Sequence, residues 1–132
     1  MLPRRLLILC ALAAACVLAV PAAASATTKF FHTANGKTEC QITWTHSSRL
    51  AYCQYDSPGS SATLTGRGKL TVCSGSKCLG NGPEDATTLR SGKTISVGAF
   101  SCTASDGGVR CKLGNGAHFF AINNDGVLGP NR

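Results

Sequence analysis

Three histidines, His32, His46 and His118, are the side chains of this chain best suited to proton transfer near neutral pH. With Glu39 and Arg49 they supply the group types of a metal-independent ribonuclease: a base, an acid and a cation for the phosphate. Type alone is not arrangement. His46 stands among turn-forming residues and His118 precedes Phe119-Phe120 on an expected strand, so spacing sets neither beside a partner. No Gly-x-Ser-x-Gly elbow and no phosphate-binding glycine loop occurs. The carboxylates Glu39, Asp56, Glu84, Asp85, Asp106 and Asp125 stand mostly at turns, where Asp serves the backbone. Glu84-Asp85 offers at most a loose calcium site, and a solvated loop explains it as well. This reading assigns no catalytic residue and implies no cofactor. A small basic hydrolase, ribonuclease-like or wall-directed, is the alternative, and it requires His46 and His118 to meet in one cleft.

Cysteine spacing says more. Of 8 cysteines, Cys10 and Cys16 lie in the N-terminal apolar run, leaving Cys40, Cys53, Cys73, Cys78, Cys102 and Cys111. Zinc is a poor fit: there is no Cys-x-x-Cys pair, and Cys73-x4-Cys78 has no matching second couple. An even number in a short exported chain implies disulfides. Counting outward from Asp106-Gly107, a dipeptide suited to a type I′ turn, sets Cys102 opposite Cys111 on a non-hydrogen-bonded pair, where a cross-strand bridge is least strained. Cys40 and Cys53 are symmetric about His46-Ser47, and Cys73 and Cys78 about Gly75-Ser76. Six cysteines allow fifteen connectivities and spacing alone does not choose between them; nearest-neighbour pairing is the expectation this symmetry favours, with a type II′ turn expected at Gly75-Ser76. A longer loop over residues 45–48 suits His46-Ser47, which is poor chemistry for a two-residue turn.

The N-terminus predicts the compartment. Arg4 and Arg5, an uncharged apolar run over residues 6–20, Pro21 and Ala24-Ser25-Ala26 form a cleavable signal peptide over residues 1–26. A lipid anchor at Cys16 is the minor alternative. Cleavage would leave 106 residues, one secreted domain over residues 27–132, with eleven bases against six acids and a net charge of about +5. The bases are dispersed, without the clustered stripe and interleaved aromatics of a nucleic-acid binder. No specific nucleic acid and no membrane span after cleavage are expected. The excess suits solubility and a loose affinity for an anionic wall or membrane surface.

Short alternating runs punctuated by Gly, Asn and Asp predict an all-β fold, a small disulfide-stapled sandwich or barrel of antiparallel strands and hairpins. Cys40, Ile42 and Trp44 share one face, and the return strand sets Arg49 opposite Trp44, a cation–π geometry. Trp44, Arg49 and His118 are the residues offered to a ligand, although Trp44 also fits the core beside Ile42. Residues 79–85 form the longest irregular stretch, with a single helical turn expected over residues 86–90.

Leu89-x-x-Gly92, Val97-Gly98-x-Phe100-x-Cys102, Gly108-Val109-x-Cys111 and Gly116 before Phe119-Phe120 and Ile122 resemble small exported actinobacterial proteins of a Cys-paired β-domain family without assigned function. Phe31, Asn35-Gly36 and Cys40 depart from that family's upstream pattern in the order of Gly and Asn. The resemblance implies export and a β fold and supplies no catalytic residue. Together these readings indicate a secreted, non-enzymatic binding or structural domain for an extracellular ligand or envelope component. A second alternative is a protease inhibitor presenting residues 79–84 as a rigid loop beside Cys78.

Overall fold

A computed structural model describes residues 26–130. The expected signal peptide, save its last residue, and the Cys16 alternative lie outside the described residues. No described helix is long and apolar enough to cross a membrane.

Alternation of inward apolar and outward polar residues builds eleven strands. β1 (Thr27–Thr33), β2 (Thr38–Trp44), β3 (Arg49–Tyr55), β4 (Ser60–Thr65) and β5 (Leu70–Ser74) form an antiparallel series. A 3-10 turn over Ser76–Cys78 follows, and β6 (Thr87–Leu89) joins the far edge beside β1. β7 (Thr94–Val97), β8 (Phe100–Ser105), β9 (Gly108–Leu113), β10 (His118–Asn123) and β11 (Gly126–Leu128) form a second antiparallel series. The sheets run β5-β4-β3-β2-β1-β6 and β11-β10-β9-β8-β7, and they pack as a sandwich. β10 lies over β4, β9 over β3 and β7 over β1 and β2, so the strand orders of the two layers match.

The core is the sum of the two inner faces. Phe31, Ile42 and Leu64 from one sheet meet Phe100, Phe120 and Ile122 from the other, all essentially without solvent contact. Burying a side chain of this size contributes on the order of 1.5–3 kcal/mol. At the centre stand two cross-strand disulfides, Cys40–Cys53 and Cys102–Cys111, each with Cα atoms 4.1 Å apart. That separation belongs to the non-hydrogen-bonded pair type. The sulfurs of Cys53 and Cys111 touch across the two layers at 3.7 Å, so the staples pack on one another as core residues.

The expected registers are present: Cys40 opposite Cys53, Trp44 opposite Arg49, Cys102 opposite Cys111 and Ser105 opposite Gly108. The loop at residues 45–48 is the longer form, closed by the Thr45 amide donating to the Ser48 carbonyl at 2.8 Å. Three local expectations are corrected. Neither Asp106 nor Gly107 has a positive φ, so the turn is not type I′. The inward residues Cys102, Ala104, Val109 and Cys111 hold the hairpin's register without it. Cys73 does pair with Cys78, but Cys78 lies in the 3-10 turn, so this bridge clips a strand end rather than joining two strands. The helical turn at residues 86–90 is instead β6, a parallel partner of β1 and the exception to antiparallel pairing. Thr87-Thr88 is β-branched, the edge of β1 offers ladder partners, and Leu89 reaches the core, whereas a single helical turn gains little. Of the sandwich and the barrel that the sequence allows, the architecture is the two-layer sandwich.

Candidate functional site

Two places on this framework gather polar side chains. The first is the end of the sandwich where β2 runs into β3. Thr45 and Ser48 close the loop reciprocally: the Thr45 hydroxyl donates to the Ser48 carbonyl at 3.1 Å and accepts from the Ser48 amide at 2.9 Å. This fixes the strand ends that carry Trp44 and Arg49. The Arg49 guanidinium lies 4.8 Å from the Trp44 ring centroid, and its Nε donates to the Thr45 carbonyl at 3.4 Å. The other side of the indole meets Phe100 edge-on at 5.7 Å. Trp44 therefore takes both expected roles, packing on the core from a half-buried position under an exposed guanidinium.

The β4–β5 turn lies beside this pair. The Gly66 amide donates to the Arg49 carbonyl at 2.8 Å. Gly68 lies directly beneath the His118 imidazole, where a methyl group would stand 2.7 Å from the ring. The Gly66-Arg67-Gly68 turn is thus held between Arg49 and His118. A cleft of about 350 Å³ is lined by His46, Ser48, Arg49, Thr65 and Arg67 among others, and a neighbouring one of about 260 Å³ by Trp44, Thr45, His46 and Arg49. Trp44 and Arg49 are brought together as expected. His118 lies across the turn from them and lines neither cleft. Sequence reasoning missed Arg67; its signal was a cation between two glycines, the tip of a tight turn.

Of the groups a hydrolase would need, His46, Arg49 and His118 share this end of the sandwich and Glu39 does not. His46 lines both clefts and His118 neither, while Glu39 lies toward the other end of β2 and is engaged by Gln54. Among the described residues, no three His, Cys, Asp or Glu side chains are grouped to hold a metal.

The second place is on the outer face of the six-stranded sheet. Residues 79–86 cross this face from the β5 edge toward β6 as a strap, and Gln54 pins it. The Gln54 amide donates to the Gly80 carbonyl at 2.8 Å and to Glu39 Oε2 at 2.9 Å, and its Oε1 accepts from the Gly80 amide at 2.8 Å. The Tyr52 hydroxyl is 2.9 Å from the same Oε1 and 3.3 Å from the Cys78 carbonyl. Burial chiefly raises the Tyr52 pKa above its usual value; the Ser61 side chain pulls it down and Glu39 adds to the rise. A polar cleft of about 320 Å³ opens between the strap and Lys37, Glu39 and Asp56. Both peptide groups of Gly80 are taken by Gln54. A substrate-like inhibitor loop would instead have to offer such groups to a protease as an added strand.

Comparison of the chain with protein-family models, with curated proteins and with solved structures finds no match.

Proposed function

We propose that this is an exported, non-enzymatic binding domain acting outside the cytoplasmic membrane, and that its ligand surface is the end of the sandwich bearing Trp44 and Arg49. The observation that carries the reading is the Trp44–Arg49 pair between two clefts that share His46 and Arg49. A guanidinium held on an indole and loop hydroxyls on a rigid framework are the elements of a small recognition site. Export is supported by the N-terminal pattern, by three disulfides, which persist in oxidising compartments, and by the resemblance to exported proteins.

Trp44 is the chain's single tryptophan, so its emission reports on this end alone. Titrating the mature exported protein with isolated bacterial envelope glycans is expected to give a saturable change in that emission, weakened in Arg49→Ala. Sustained cleavage of RNA or peptidoglycan by the pure protein, abolished in His118→Ala, would instead establish a hydrolase. Stoichiometric inhibition in a protease panel would establish an inhibitor.

A further inference from the structure

The folded chain collects charge that the sequence scatters. Arg49 opens β3, Arg67 tips the β4–β5 turn, Lys69 closes that turn and Lys112 stands one residue from the end of β9. The Lys112 stem leans toward the turn at residues 114–117, where a methyl group on Gly116 would lie 3.6 Å from its Cδ. His46 and His118 sit among them, and all six side chains are exposed. Register places all of them at the same end: Trp44 meets Phe100 across the layers, and His118 covers Gly68. None of the six acidic side chains is in the loops of this end. Glu39 and Asp56 lie at the other end of β2 and β3, Asp106 and Asp125 in the turns that close β8–β9 and β10–β11 at that other end, and Glu84 and Asp85 on the strap. Lys37, Lys77, Arg90 and Lys93 stand at the acidic end and are interleaved with those carboxylates. The sandwich is therefore polarised along its strands.

Resting on the reading that this end is the binding surface, we infer that its ligand is a linear acidic glycopolymer, a hydrated chain with repeated carboxylate or phosphodiester groups. Adjacent strands are about 4.8 Å apart and packed sheets about 10 Å. The strand ends that carry these cations are therefore spaced on the order of the Debye length, about 8 Å at physiological salt, so the fields of their charges overlap. They follow an arc from Arg49 to Lys112 instead of converging on a point, which suits a repeating anion better than a single phosphate. Ser48 and Thr65, between Arg49 and Arg67 in the larger cleft, provide hydroxyls for a sugar. Single-stranded nucleic acid needs free aromatic faces for stacking, but Arg49 covers Trp44 and Arg110 covers Phe119 at 4.0 Å. A membrane surface would favour apolar side chains among the cations. Among the described residues Leu128 is the one large hydrophobic side chain that is exposed, so the cations have no apolar patch beside them to insert.

The test is calorimetric titration of the mature exported protein with polygalacturonate and with lipid-free poly(glycerol phosphate). Neutral dextran, double-stranded DNA and anionic phospholipid vesicles are run in parallel. One or both acidic polymers should bind, more weakly as salt rises, and the pattern between them tells carboxylate from phosphodiester. Arg67→Glu with Lys69→Glu should weaken binding about tenfold, while Lys37→Glu with Lys93→Glu at the acidic end should change it less than about twofold. If the first pair of substitutions unfolds the protein, Arg67→Gln with Lys69→Gln makes the same measurement. Equal affinity in both charge-reversed variants, or tighter binding of DNA or vesicles than of either polymer, overturns the inference. Dextran binding as well as the acidic polymers, with a Trp44 response, overturns the polyanion and leaves the binding surface standing. If neither the polymers nor envelope glycans elicit any response, both readings fall.

Discussion

Gln54 shows how much a single side chain can hold. Its amide is fully used, with two donors and an acceptor oxygen all engaged, and it is 8 % exposed. Gln54→Leu would leave the Gly80 peptide groups and Glu39 without these partners. The expected cost is about 1–3 kcal/mol in chemical denaturation, with faster amide exchange at Gly80 and little change in the core strands. Nothing local in the sequence marks this residue, because its principal partner is 26 positions away and is a backbone group. Tyr52 adds a pH dependence. The fold favours the protonated phenol, so its contribution is complete below the ordinary tyrosine value of about 10 and is lost as pH climbs through the raised folded value. Ultraviolet titration should show one phenol ionising later than the ordinary value, and Tyr52→Phe should remove that phase.

At the scale of elements, hairpins were legible and crossovers were not. The two cysteine-bridged hairpins announce themselves because turn, alternation and cysteine spacing agree on one register. The segment after Cys73 has no such agreement. Its path is decided by what the six-stranded sheet offers on its outer face and at the edge of β1, so a 3-10 turn and a parallel strand replace a hairpin and a helical turn. The β7–β8 turn shows a constraint of close approach. Gly98 has φ +57°, and a side chain there would run into the Trp44 indole. Gly98→Ala should destabilise the protein by about 1–3 kcal/mol and displace Trp44, read as a red-shifted emission.

In the whole molecule the two core disulfides act as packing as well as tethers. Replacing Cys40 and Cys53, or Cys102 and Cys111, by alanine should cost about 2–5 kcal/mol. Replacing Cys73 and Cys78 should cost less, since their loop spans 5 residues and both are only partly buried. The two core replacements should be non-additive, because the Cys53 and Cys111 sulfurs are in contact. Intact mass before and after reduction should differ by six hydrogen atoms, two for each of the three disulfides. The charge polarity also belongs to this scale. Bases that are far apart along the chain meet only because loops from both sheets end at the same place.

The sequence by itself determined the fold class, the three cysteine pairs and the Trp44–Arg49 pair that opened the search for a site. All but the Cys73–Cys78 pair depend on period-two alternation and short-range register. It also listed the histidines, but only the tertiary structure decided that His118 stands across the Gly66-Arg67-Gly68 turn from Arg49 and that Glu39 lies toward the other end. The physical reason is that cross-strand neighbours within a hairpin are fixed by counting. Neighbours across a sandwich are fixed by how two sheets stack and where a long strap crosses, and those choices minimise exposed apolar area over the whole chain. The groups that could do chemistry were visible from the start; the packing of the two layers set Glu39 apart from His46 and His118 and drew the cations together at the end the histidines share.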